Sequence, residues 1–207
     1  MKFVLLFLLI PNLFFGEIKI GVIGDSNSYW HTVDQNEIYY RLSENHLRKQ
    51  GYDVSFIRTE KSCQSGSGTE SGLERIKILL AEVPDINIIL ISLGINDAIA
   101  IRPIVEVNDN LEDMINYCLT RKVKVMLGSV DIAWYPWHHI DIYYRSYFQQ
   151  MYAILSYKYP ITVFPFIFYQ LFQDPENHIG DFIHPTAKGH KILSKIVEKS
   201  VKDIIDK

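Results

Sequence analysis

Cysteine is nearly absent: Cys63 and Cys118 are the only two in 207 residues. Basic runs are absent as well. The 21 lysines and arginines are scattered and outnumbered by 24 acidic residues, for a formal charge of -3, so the chain has no electrostatic footprint for DNA or RNA and no nucleic-acid partner is expected. No fixed-period repeat or low-complexity tract is present, which excludes a solenoid and gives no sign of a disordered arm. None of the seven histidines stands in a metal-ligand spacing such as HExxH, the His138-His139 pair, His178 and His190 included, so no metal is expected. Past the first residues no apolar run approaches the roughly 20 needed to cross a bilayer, so no stable membrane span is expected in the remainder.

What is present begins with a distinct amino-terminal segment. Met1-Lys2 precedes residues 3–15, which are apolar apart from Asn12, and Gly16-Glu17 follow. A basic start and a short hydrophobic middle have the layout of a secretory signal, and Pro11-Asn12 interrupts any spanning helix. The expectation is a signal peptide over 1–16, export to a periplasm or beyond, and a single domain over 17–207. Phe14 is bulkier than the usual residue before a cleavage site. The 48% hydrophobic content suffices for one sizeable core. A disulfide between Cys63 and Cys118 is not expected even in an oxidising compartment, because the first lies in a loop at one edge of the sheet and the second ends a helix running to the opposite edge. Two free, buried thiols are the expected state.

From residue 18 onward strand-like and helix-like segments alternate. Ile18, Ile20, Val22 and Ile23 make a first strand. Ile38, Leu42 and His46, four apart, predict a helix over 36–50 closed by Gly51. Residues 52–57 read as a strand, and Leu73, Ile76 and Leu80 set one face of a helix over 69–82. The continuously apolar stretch after Ile86 makes 85–93 a central strand. Leu111, Met114, Ile115 and Cys118 mark a helix over 107–120, followed by a strand at 123–127, an aromatic-rich helix over 140–157, a strand at 161–164 and a last helix over 186–205. Five strands separated by helices imply a parallel sheet covered on both faces, with right-handed crossovers; the expected architecture, taken together with the family resemblance given below, is a three-layer α/β/α sandwich of flavodoxin-like form with strand order 2-1-3-4-5.

Ligands bind such a sheet at the carboxyl ends of its strands, and the polar residues gather in the segments that lie there. Gly24-Asp25-Ser26 ends the first strand; Ser65-Gly66-Ser67-Gly68-Thr69 follows the second; Gly94-Ile95-Asn96-Asp97 follows the third; Asp181-Phe182-Ile183-His184-Pro185 precedes the last helix. Acyl transfer fits them. A serine hydroxyl is a poor nucleophile at neutral pH and needs a base within hydrogen-bond reach. His184 is the candidate base for Ser26, with Asp181, three residues earlier, holding the imidazole in one tautomer. Asp25 and Asp97 are read as holding loop geometry.

Taken in order, GDS, a loop glycine, GxND and DxxHP are the signature set of the SGNH (GDSL-type) hydrolases, and the chain resembles that family from Gly24 to the segment HPTAKGHKIL. The likeness is strongest to the small periplasmic thioesterase, lysophospholipase and arylesterase enzymes, where a loop glycine also stands six residues ahead of a Gly-Leu pair, here Gly66 ahead of Gly72-Leu73. The resemblance implies an oxyanion hole made by the N–H of Ser26, the N–H of Gly66 and the side-chain amide of Asn96, with Gly68 the alternative to Gly66. It implies a serine esterase acting through an acyl-Ser26 intermediate, with no cofactor.

The segment 131–140 (DIAWYPWHHI) follows the fourth strand. Trp134, Tyr135 and Trp137 read either as a lid over the core or as the wall of an acyl or sugar pocket. The substrate is thus a small-molecule, lipid or carbohydrate ester. A carbohydrate O-acetylesterase and a non-catalytic binding domain of the same fold are the alternatives. The sequence leaves the oligomeric state open.

Overall fold

The computed structural model describes residues 16–29, 32–133 and 139–206. The expected signal peptide, Gly16 aside, and Trp134, Tyr135 and Trp137 lie outside the described residues. Five strands, β1 (Ile18–Gly24), β2 (Val54–Ile57), β3 (Ile88–Ser92), β4 (Lys124–Val130) and β5 (Thr162–Ile167), form one parallel sheet in the order β2-β1-β3-β4-β5. The parallel sheet is what the alternating pattern predicts, and the strand order is the expected 2-1-3-4-5. Strand order reverses between β1 and β3, and the carboxyl ends of these two strands flank the point where a doubly wound fold opens its crevice.

The helices are α1 (Tyr39–Lys49), α2 (Gly72–Glu82), α3 (Ile95–Ile99), α4 (Ile104–Leu119), α5 (Ile142–Lys158), α6 (Tyr169–Phe172) and α7 (Ala187–Ile205). Helices α1 and α7 pack on each other and cover one face; α2, α4 and α5 lie side by side against the other. All five residues of β3 are buried, because this strand has a paired neighbour on each side and helices above and below. Its unbroken Ile88-Ile89-Leu90-Ile91 run is the sequence consequence.

Several expectations needed correction. The buried face of α1 is Tyr39, Tyr40, Ser43 and Leu47, one position round from the Ile38, Leu42, His46 stripe. A serine can face inward because Ser43 Oγ is satisfied by the carbonyls of Tyr39 (2.8 Å) and Ser194 (2.9 Å), and the Tyr39 ring packs edge-on against Phe166 and stacks on His190. The buried face of α2 is likewise Gly72, Arg75, Ile76 and Leu79. Gly72 lets α2 approach α4 and β3 closely; a Cβ there would meet Met114 and Leu93. Strand β5 runs on through Pro165, which tempts a reader to stop it at Phe164. A proline without an N–H is tolerated on this edge strand, and the ladder shows an irregularity between Ser129 and Val130 opposite it. Ahead of α7, Thr186 is the cap, accepting from the Gly189 N–H, and Pro185 bridges to His178. Both cysteines are free and buried.

Leu90 is fully buried at the centre of β3. Leu90→Ala is expected to cost about 2–5 kcal/mol by urea denaturation, with a loss under about 1 kcal/mol contradicting the placement of the core.

Candidate active site

The site is assembled by the ends of β1, β3 and the segment before α7. At the end of β1 the chain turns at once: the N–H of Ser28 donates to the Asp25 carbonyl (3.1 Å) and that of Tyr29 to the Ser26 carbonyl (3.2 Å). Glycine is required at position 24 by close approach, since a Cβ would meet Ser28 and lie 2.6 Å from Ser92 Oγ. Those two hydroxyls are hydrogen-bonded to each other (2.7 Å), and Ser28 also to Tyr39 (2.9 Å), a buried polar cluster directly behind the turn. The Asp25 carboxyl accepts from the N–H of Asn27 at 2.9 Å, closing an Asx turn around Ser26.

The glycine loop is pinned beside this turn. Gly24 accepts from the N–H of Gln64 (3.1 Å) and donates to the Ser62 carbonyl (3.2 Å), so residues 62–64 run alongside the end of β1. Further on, Thr69 donates to Asp97 through its N–H (2.9 Å) and hydroxyl (3.0 Å), which ties the loop to α3. Helix α3 was missed in the sequence because a single turn of five residues carries too little periodicity to register. It places Asn96 in its first turn, after a Gly94 with φ of 122°. Asn96 Nδ2 donates to the Ser67 carbonyl at 3.0 Å and lies 3.4 Å from Asp25 Oδ2.

In the segment before α7, Asp181 makes an Asx turn with one oxygen, Oδ1 accepting from the N–H groups of Ile183 (2.9 Å) and His184 (3.0 Å). Phe182 adopts a left-handed backbone, φ 60°, and its ring stacks on His178 at 4.5 Å. The other oxygen, Oδ2, takes the His184 Nδ1 at 2.5 Å, and His184 Nε2 lies 2.8 Å from Ser26 Oγ. Burial, the largest influence on Asp181, pushes its carboxyl up, yet the N–H and ring of His184 and the N–H of Ile183 together hold it below its ordinary value. An ionised carboxylate only accepts, so Nδ1 carries the ring proton and Nε2 is left to accept from the serine hydroxyl. Hydroxyl, imidazole and carboxylate in hydrogen-bonded series define the serine-hydrolase type of site.

A sequence model of the GDSL-like lipase/acylhydrolase family matches residues 22–192, which includes every residue of this site. The chain belongs to the GDSL-like lipase/acylhydrolase family and is a serine hydrolase acting on ester bonds. It is 25% identical over 184 residues to an arylesterase of Vibrio mimicus, covering 88% of each chain. Among solved structures, AlinE4, an SGNH-hydrolase family esterase, is 27% identical with a TM-score of 0.71, covering 92% of this chain and 97% of that one. The psychrotrophic esterase EstA of Pseudoalteromonas sp. shares the fold at 19% identity, with a TM-score of 0.79 over 92% of this chain and 100% of the other. With an enzyme family assigned, the alternative of a non-catalytic binding domain lapses.

Two features were not legible beforehand. Arg75 is buried behind the Ser26 turn, its Nη2 donating to the Gly24 carbonyl at 2.7 Å; the signal was a lone arginine at helical spacing from Gly72, Ile76 and Leu79. Asp25, read correctly as a loop anchor, is also fully buried, which pushes its carboxyl up to about 7 against the lowering influence of the Asn27 N–H, His184 and Arg75. Among the described residues no group of three His, Cys, Asp or Glu side chains is placed to hold a metal ion.

A carboxyl raised on folding binds a proton in the native state that the unfolded chain has already released, so it lowers stability as pH rises between the two values. The Asp25→Asn variant, which mimics the neutral form, is therefore expected to gain stability relative to wild type from near pH 4 to about pH 7, by about 1.4 kcal/mol per pH unit at most. Parallel stability curves for the two proteins across that range would contradict it.

Proposed function

We propose that this protein hydrolyses carboxylic ester and thioester bonds of the lipase/acylhydrolase, arylesterase or lysophospholipase type, through an acyl-Ser26 intermediate. The observation that carries the reading is the unbroken chain from Ser26 Oγ through His184 to Asp181, with contacts of 2.8 and 2.5 Å. In the first half-reaction Ser26 Oγ attacks the substrate carbonyl as its proton passes to His184 Nε2, and Asp181 holds the imidazolium that results. Collapse of the tetrahedral intermediate breaks the bond to the alcohol or thiol, which leaves with the proton from Nε2. Water then repeats the sequence on the acyl-serine and releases the acid.

The oxyanion would be received by the N–H of Ser26, the N–H of Gly66 and the amide of Asn96. One Asn96 hydrogen is committed to the Ser67 carbonyl; its other contact, to Asp25 at 3.4 Å, is long enough to yield to a developing negative charge. The same Ser67 carbonyl argues for Gly66 over Gly68. In a trans peptide C=O and N–H point in opposite directions, so the N–H of Gly68 is turned away from the Asn96 amide. Gly68 is also buried, with a Cβ position only 2.9 Å from Asp97 Oδ1, whereas Gly66 is exposed at φ 76° with open space before it.

Residues 1–16 serve in this reading as a secretory signal, with 17–207 the exported domain, periplasmic or secreted. Among the described residues no helix is long and apolar enough to cross a membrane. Trp134, Tyr135 and Trp137, in the segment joining β4 to α5, are proposed to wall the acyl pocket.

Ser26→Ala and His184→Ala are each expected to lower kcat by roughly 10⁴-fold or more while the fold is retained, and Asn96→Ala by about 10²- to 10³-fold. Near-normal turnover in either of the first two would refute the assignment, and a change confined to KM would remove Asn96 from the oxyanion role. A panel of aryl, long-acyl and acetylated-sugar esters tests the substrate class; turnover of the acetylated sugars alone would replace the reading by a carbohydrate O-acetylesterase.

A further inference from the structure

We propose that Arg75 is a positioning residue for ester hydrolysis: its buried guanidinium holds the carbonyl of Gly24, fixing the turn that carries Asp25 and Ser26. This rests on Ser26 being the nucleophile, and goes beyond it by assigning a role to a residue outside the reacting groups.

The argument begins with cost. Arg75 is only 4% exposed, on the inward face of α2 beside Ile76 and Leu79, where a leucine would pack without penalty. Its Nη2 makes one short bond, 2.7 Å to the Gly24 carbonyl, while Nε and Nη1 are buried and have no hydrogen-bond partner among the described residues. A buried cation so incompletely satisfied is poor for stability. Its placement therefore points to what it touches. The Gly24 carbonyl closes the peptide whose other side is the N–H of Asp25, one residue ahead of the nucleophile, and a charge-assisted bond there is about twice as strong as a neutral one.

The second half concerns charge. The groups acting on Arg75 are Cys63, Asp25 and Glu70; the thiol of Cys63 is held neutral by burial, which pushes it up to about 11. Glu70 has a side chain 48% exposed, close to Arg102, whereas Asp25 has no exposed surface and is the buried acidic group among those that act on Arg75. Asp25 in turn is acted on by the Asn27 N–H, His184 and Arg75, and influences Cys63 and Tyr152. Its Oδ2 stands beside the Asn96 amide. Arg75 thus favours the ionised form of a carboxyl whose oxygens set both the Ser26 turn and Asn96, and which burial brings to about 7.

The test is the pH dependence of kcat and KM for a p-nitrophenyl ester, measured on the full chain with Ser26→Ala as control. Arg75→Met and Arg75→Gln are expected to lower kcat about tenfold or more at pH 7 with KM within threefold of wild type. Both should move the acidic limb of the kcat profile upward by about one pH unit, because Asp25 then ionises later; Arg75→Lys should hold the limb in place and recover part of the rate. In the Asp25→Asn background the Arg75 substitutions should no longer move the limb. A wild-type limb in both Arg75→Met and Arg75→Gln overturns the proposal, as does an effect on KM alone. Should neither variant fold, Asp25→Asn decides, since a profile identical to wild type there removes the carboxyl through which Arg75 is said to act. Activity retained by Ser26→Ala would instead overturn the nucleophile assignment.

Discussion

A contact of 2.8 Å between Ser26 Oγ and His184 Nε2 joins side chains 158 residues apart in the chain, and the rest of the structure can be understood as what keeps that contact in register. The bond cannot do so itself: a hydrogen bond contributes about 0.5–1.5 kcal/mol net, far less than the entropy of ordering the chain between its partners. The sheet does the holding. Strand β1 lies inside it, paired with β2 on one side and β3 on the other, and α7, which begins just after His184, packs along α1 and reaches β5. Ser26 and His184 are thus both carried by elements fixed to one frame.

Around that contact, polar groups are placed where apolar ones would be cheaper. Ser28, Tyr39 and Ser92 share hydroxyl hydrogen bonds behind Gly24, Asp97 ties the glycine loop to Asn96's helix, Arg75 holds the Gly24 carbonyl, and Asp25 closes the turn at Asn27. Each buried polar group costs free energy unless satisfied. Their concentration at the carboxyl ends of β1 and β3, with apolar residues filling the body of the sheet, shows where stability has been exchanged for geometry.

Much of this was legible from the residues alone. Continuous apolar runs located β1 and β3, and the motif order placed Ser26, Asn96, Asp181 and His184 at one edge because parallel topology leaves few alternatives. Helix faces were less legible. Ser43 and Arg75 are polar residues on buried faces, and periodicity counts such positions as solvent-facing unless their partners, the Ser194 and Gly24 carbonyls, are known. Those partners are supplied by tertiary packing at separations of 151 and 51 residues. Gly66 and Gly68 were left open by the sequence for a similar reason, since the direction of a peptide plane is set by tertiary packing.

The account is tested most directly by covalent labelling. Purified protein treated with a fluorophosphonate, digested and mapped by mass spectrometry, should carry one adduct, on Ser26, formed at a rate that collapses in His184→Ala. An adduct on another serine, or Ser26 labelled equally fast without the imidazole, would contradict it.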